Sequence, residues 1–389
     1  MRLENLIFIS LFLAVILLFT KESMLENHIF DTIIPVLLVM MTITYFIWKN
    51  GLNVKRFTLL LLMIFLTFIS TYYYMFLGSE YLIEGNVNYI IQTFSFLMFF
   101  AVNRQQFNKI FILNRFVLII SLVVFVTVIL DFIGMLNITN ATLLNFGSMS
   151  YGWIYYNPNT FAQIIFFLLC YIILFFEKKH FKIILIVSLY LLMLLTLSRT
   201  GILAGAIITI AYFLKEYKLK VRNIFLFAVI LITIFLIIDI IPLIESILEK
   251  QERGTSGRIL IWSYVINNDI LNSVHALLLG NGFSYGSLDK FDGLSPHNSM
   301  LLTIGRHGLI YFILLIILLI LYILHNKIHS FLHVSFYLSV IVYASFESSY
   351  FVGVNGSWLG FIFILLLLAN RVELNNYKNK ETPRKLQSN

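Results

Sequence analysis

Charge is what this 389-residue sequence lacks most: Lys, Arg, Asp and Glu make up only 12% of it. A soluble domain carries about a quarter, so there are too few charges to cover a water-facing surface. That excludes a soluble enzyme, a nucleic-acid-binding protein and a disordered scaffold. A single cysteine, Cys170, excludes a disulfide framework, and five prolines exclude a proline-rich linker protein. What is present is apolar: 60% of residues are hydrophobic, and 38 Phe with 21 Tyr exceed what one soluble core uses. The composition implies an all-α, polytopic membrane protein.

A membrane-spanning helix needs about 20 mostly apolar residues. Twelve stretches qualify: 3–20, 32–48, 57–77, 87–102, 116–136, 160–176, 182–197, 201–216, 223–241, 308–324, 331–350 and 356–370. The stretch from 201 is the weakest, because Lys215 and Glu216 fall in its last turn. The first is expected to be a retained span rather than a cleaved signal, since no small-residue cleavage site follows it. Residues 1–370 then form a single integral membrane domain, and 371–389 a basic tail. That tail mixes Lys and Arg with Glu373 and Glu381 and reads as a solvated tether.

Orientation follows from the excess of Lys and Arg in cytoplasmic loops. With the N-terminus inside, 20 of the 27 Lys and Arg fall on the inner side, while 14 of the 19 acidic residues fall outside. Both termini are therefore expected in the cytoplasm. The formal charge of +8 does not point to nucleic acid, because the basic residues occupy short inner loops.

The connection from Pro242 to His297 is the longest and faces outward. Long loops are usually functional or disordered. This one carries Ile259, Leu260, Trp262, Val265, Ile266, Ile270, Leu271 and Val274 at spacings of mostly three and four, which predicts one amphipathic helix over 258–274. A weaker amphipathic stretch covers 243–253. Gly and polar residues concentrate in the second half without an internal repeat, which argues against a transporter.

Several outward residues carry chemistry. Arg199, in Ser198-Arg199-Thr200-Gly201, breaks the charge bias. It either snorkels to lipid phosphates or contacts an anion, which a guanidinium grips bidentately. Arg258 follows Gly254-Thr255-Ser256-Gly257 and opens the loop helix, where a cation is disfavoured unless an anion offsets it. The alternative is a solvated surface arginine. His297, in Ser295-Pro296-His297-Asn298, stands in a polar knot with Asn298, Gly305, Arg306 and His307. An imidazole there suits general-base work.

Asn159 is placed to cap a helix starting at Thr160, and Gly280-Asn281-Gly282 reads as a turn. Asp289 and Asp292 read as a solvated loop rather than a cation site. Glu347, an acid near the outer end of a span, is either functional or the partner of an outer arginine. Cys170 is mid-helix and alone.

In order along the chain, NPNTFA at 157–162, SRTG at 198–201, GR followed four residues on by Trp at 257–262, LLGNGFSYG at 278–286 and HNSMLLTIGRHGL at 297–309 resemble the O-antigen ligase and polysaccharide polymerase superfamily. The likeness covers 157–309. Arg306-His307 departs from it, because relatives often carry an acidic residue there.

The resemblance implies a multi-spanning glycosyltransferase of the cytoplasmic membrane, active on its outer face without metal or cofactor. Its donor would be an oligosaccharide linked to undecaprenyl pyrophosphate. It implies Arg199 and Arg258 as the groups that neutralise the leaving pyrophosphate, and His297 as the one that orients or deprotonates the acceptor hydroxyl. Asn157, Asn159, Ser198, Gly257, Asn298, Arg306 and Glu347 would line the substrate. A chain-length regulator and a flippase are the partners it implies.

Richness in Ile, Phe, Asn and Lys hints at an AT-rich genome, and so at a capsular polysaccharide polymerase over a ligase acting on an envelope acceptor. A lipid-linked oligosaccharide flippase and a non-catalytic scaffold are the rival classes.

Overall fold

The apolar stretches form a bundle in the computed structural model, which describes residues 3–19, 33–76, 97–102, 111–132, 158–217, 258–282, 297–347, 350 and 357–369. In chain order its helices are α1 (Leu3–Phe19), α2 (Ile34–Asn50), α3 (Val54–Phe76), α4 (Phe111–Phe132), α5 (Pro158–Phe175), α6 (Lys179–Leu195), α7 (Arg199–Tyr217), α8 (Arg258–Tyr264), α9 (Val274–Leu279), α10 (Ser299–His325), α11 (Phe331–Phe346) and α12 (Ser357–Ala369). No strand occurs among the described residues, and the one β-type pairing there is an isolated antiparallel bridge between Leu52 and Val102. The fold class is all-α.

Among the described residues, three helices are long and apolar enough to cross a membrane, within Leu113–Asp131, Pro158–Phe175 and Ser299–His325. Shorter apolar helices cover Ile9–Phe19, Ile34–Asn50, Phe331–Phe346 and Ser357–Ala369. The stretch 223–241, most of 87–102 and the tail 371–389 lie outside the described residues.

The surface inverts the pattern of a soluble protein. Leu61, Phe65 and Phe68 on α3, Ile119, Val123 and Val126 on α4, and Ile313, Ile317, Ile320 and Leu324 on α10 are all exposed. Their spacing of three and four makes continuous apolar stripes. Several buried polar groups are satisfied within helices instead, since Thr67, Ser121 and Ser339 donate to the carbonyls of Met63, Val117 and Ser335. Such back-bonding suits a medium without water.

The centre is α5, whose described side chains from Thr160 to Phe175 are all buried. Phe12 of α1, Phe167 of α5 and Phe363 of α12 form a ring triangle with centroids 5.8–6.3 Å apart. Gln163 of α5 accepts from Ser357 of α12 at 2.6 Å, and Tyr171 donates to Asn114 of α4 at 2.9 Å. Cys170 is buried on the same helix.

Small residues let α7 pack closely on α6 and α12 on α5. A Cβ at Gly360 would sit 2.9 Å from Cδ2 of Phe167, and one at Gly205 would sit 2.7 Å from Sδ of Met193. A thioether at the end of a flexible chain can yield, whereas a ring held in the triangle cannot. Gly360→Ala is therefore expected to cost about 1–3 kcal/mol by overpacking, and Gly205→Ala clearly less. Thermal unfolding of the two variants in detergent checks the order.

One helix expectation is met and one changes. The stretch from 201 is a full helix, α7, whose Glu216 pairs with Lys179 of α6 at 3.2 Å. The expected single amphipathic helix over 258–274 is interrupted: α8 gives way to a π-helical segment, Val265–Ile270, and α9 starts afresh with Ser273 as its N-cap. The polar run Asn267-Asn268-Asp269 explains this, because Asn268 turns its amide to the Tyr264 carbonyl and such residues compete with helical bonding.

Candidate functional site

The segment before α10 ends in two residues with separate tasks. Asn298 caps the helix, its Oδ1 accepting from the Met300 and Leu301 amides at 3.0 Å each. His297 takes a left-handed backbone, φ 46°, and this places its Nδ1 3.8 Å from Oε2 of Glu347. Glu347 terminates α11, and its amide donates to the Tyr343 carbonyl. Its side chain is buried, while that of His297 is 29% exposed. The pair thus has one dry and one accessible member.

Ser299 locks this geometry. Its buried hydroxyl donates to the Glu347 carbonyl and accepts from the Tyr350 amide at 3.0 Å. Glu347 faces a histidine here, so the sequence alternative of an arginine partner does not describe this contact.

The SRTG segment lies against the same helix. Thr196, Leu197 (φ 51°) and Ser198 make the turn between α6 and α7. Ser198 is buried and accepts from the Gly201 amide at 3.4 Å, while Arg199 is exposed as the first residue of α7. A Cβ on Gly201 would lie 3.4 Å from both Oγ of Ser198 and Oη of Tyr343, and 3.0 Å from Cβ of Ala162. Ser198, Tyr343 and the first turns of α5 therefore meet at one point. Phe166 of α5 packs on Tyr343 with ring centroids 5.0 Å apart.

The loop reaches the site through α8. Arg258 opens that helix as expected, and Trp262, one turn on, packs against Phe346 at 6.0 Å, immediately before Glu347. Gly257 and Asn157 lie outside the described residues. Asn159 is not the N-cap expected from sequence, because α5 begins at Pro158, whose fixed φ suits a helix start.

A break in α10 completes the arrangement. Gly308 has φ 83° and ψ 167° inside the helix. The carbonyls this frees, on Gly305 and Arg306, accept from the Asn281 and Gly282 amides at 2.7 and 2.9 Å. The side chain of Asn281 donates to the Asp269 carbonyl at 2.8 Å. The turn read at Gly280-Asn281-Gly282 is thus a plug for a broken helix. Arg306 is half-buried, and His307 is buried with its ring stacked on Tyr311 at 4.4 Å.

The sequence reading did not single out Ser299, Tyr343 or Tyr350. Only the position of Ser299, two residues after His297, was a signal. No cluster of three or more His, Cys, Asp or Glu suited to a metal occurs among the described residues. No protein-family model matches the chain, and no curated protein matches it.

Proposed function

We propose that this chain is a bacterial capsular or surface polysaccharide polymerase, crossing the cytoplasmic membrane about twelve times with both termini inside. It would extend undecaprenyl-pyrophosphate-linked oligosaccharides on the outer face. The observation that carries this reading is the His297–Glu347 pair, met by the SRTG turn, by the loop helix that Arg258 opens and by the start of α5.

In the proposed reaction a sugar hydroxyl of the acceptor attacks the anomeric carbon of the donor glycan. The new C–O bond forms as the bond to pyrophosphate breaks, and undecaprenyl pyrophosphate leaves with the electron pair. His297 accepts the hydroxyl proton. Glu347, against Nδ1, fixes the ring so that Nε2 faces the acceptor, and it offsets the charge the ring gains. Arg199 and Arg258 neutralise the leaving group. A single displacement inverts the anomeric configuration. No metal or cofactor has a part in this scheme.

Arg199→Ala and Arg258→Ala, made separately, are each expected to slow chain growth by about 10²–10³-fold, the usual cost of removing one charge-stabilising donor. Single repeat units would then replace long chains in the host, with the protein still in the membrane. Normal polymer length in both variants would sink the arginine assignment. Purified protein in liposomes with lipid-linked repeats on one face should make polymer without a flippase or a chain-length regulator. Product that forms only when an envelope acceptor is added would make the protein a ligase instead.

A further inference from the structure

The end of the bundle away from His297 holds another arginine, one that the proposed glycosyl transfer does not use. Lys55 and Arg56 occupy the first turn of α3, which has no acidic residue there. Lys55 is exposed, as a topology-setting charge should be, whereas Arg56 turns inward and is 3% exposed. Its Nε, Nη1 and Nη2 are all buried, and among the described residues none of them has a hydrogen-bond acceptor. An ionised guanidinium buried in that way is strongly unfavourable. The helix dipole adds to the cost, since the N-terminal end already carries partial positive charge.

The surroundings are built rather than loose. The guanidinium carbon lies 5.5 Å from the ring centre of Tyr322. That ring meets Phe100 edge-on at 5.3 Å, and Phe100 meets Trp358 at 6.2 Å. Asn53 caps α3 by accepting from the Arg56 amide at 3.1 Å, while its own amide donates to the Ala101 carbonyl at 2.8 Å. Tyr322 and Ser299 lie on opposite sides of the break at Gly308, towards the two ends of α10, which keeps Arg56 apart from the His297 site.

A ring face compensates a cation only in part, and three donor nitrogens call for an acceptor with several oxygens. We infer that Arg56 is the centre of a phosphate-binding site at this end of the bundle, with Tyr322 as its shelf and the α3 N-terminus beside it. A phosphate group presents the paired oxygens that the planar guanidinium fork fits. It comes from either a phospholipid headgroup or a soluble phosphate compound. The inference is independent of the reaction proposed for the other end.

The test uses the full-length protein in detergent at constant ionic strength set with chloride. Thermal unfolding is followed while inorganic phosphate or dihexanoyl phosphatidylglycerol is titrated. Wild type and Lys55→Met should show a saturable rise in midpoint with at least one probe, and Arg56→Met should show none. Arg56→Lys, which keeps the charge but loses the fork, should need about tenfold more of the probe. A response to the lipid alone assigns a headgroup, and a response to inorganic phosphate assigns a soluble compound. No saturable response in wild type, or an equal one in Arg56→Met, overturns the site. Equal loss in Lys55→Met also overturns it, by reducing the effect to surface charge. Should Arg56→Met not fold, an unchanged half-saturation in Arg56→Lys is the overturning result.

Discussion

His297→Asn is expected to cut polymerisation by about 10²–10⁴-fold, the range that a positioned acid or base contributes. Asn is chosen over Ala because His297 has φ 46°, and Asn is among the few non-glycine residues at ease in the left-handed region. The imidazole is removed while the chain path into α10 is kept. Glu347→Gln keeps the shape of the side chain, and the bond from Ser299 goes to the main-chain carbonyl, so the frame survives while the charge facing Nδ1 is lost. If Glu347 acts through His297, the double variant should be no slower than His297→Asn alone. The measurement is the rate of chain growth from lipid-linked repeats by purified protein, with unfolding midpoints recorded for each variant. Additive losses would separate the two residues. Near-wild-type growth in His297→Asn would remove the base from the proposed reaction.

Much of the frame was legible because long apolar helices announce themselves by length and composition. The apolar stretches at 3–20, 32–48, 57–77, 116–136, 160–176, 182–197 and 331–350 coincide with helices to within a few residues. What composition cannot show is which faces meet. That α5 is central follows from its packing against α1 and α12, and its sequence is no more apolar than that of its neighbours. The split of the loop helix was half legible, since Asn267-Asn268-Asp269 interrupts the apolar spacing, but the spacing alone outweighed it. Arg56 could be read only as one more inner-side charge. Adjacent residues on a helix point in different directions, and this alone separates it from Lys55.

The site itself was legible as a set of residues and not as an arrangement. His297 and Glu347 are 50 positions apart, and no spacing rule pairs them. Their meeting depends on where α10 begins relative to the end of α11, which Ser299 fixes by bonding to both Glu347 and Tyr350. A polar residue two places after a candidate base carries little meaning until the fold supplies its partners.

The break in α10 is the feature most exposed to a single methyl group. Gly308 and Gly280 both have φ near +80° with ψ near 170°, a region essentially closed to other residues. They also face each other. A Cβ on Gly308 would lie 2.2 Å from the Leu278 oxygen, and one on Gly280 would lie 2.5 Å from the Arg306 carbonyl and the Gly308 nitrogen. The obstructing atoms are backbone, so no side chain can move aside. Gly308→Ala is expected to cost about 3 kcal/mol or more, from strain together with the loss of the two bonds that Asn281 and Gly282 donate. Gly280→Ala should cost a similar amount. Because each destroys the same seat, the double variant should fall little below either single one, whereas independent sites would add. Unfolding midpoints of the three variants in detergent provide the comparison, and Gly205→Ala is the control for a glycine packed against a movable side chain. A tolerated Gly308→Ala would mean that α10 runs straight. The segment from Ser299 to His307 would then turn out of its present register, and the contact between His297 and Glu347 would have no structural support.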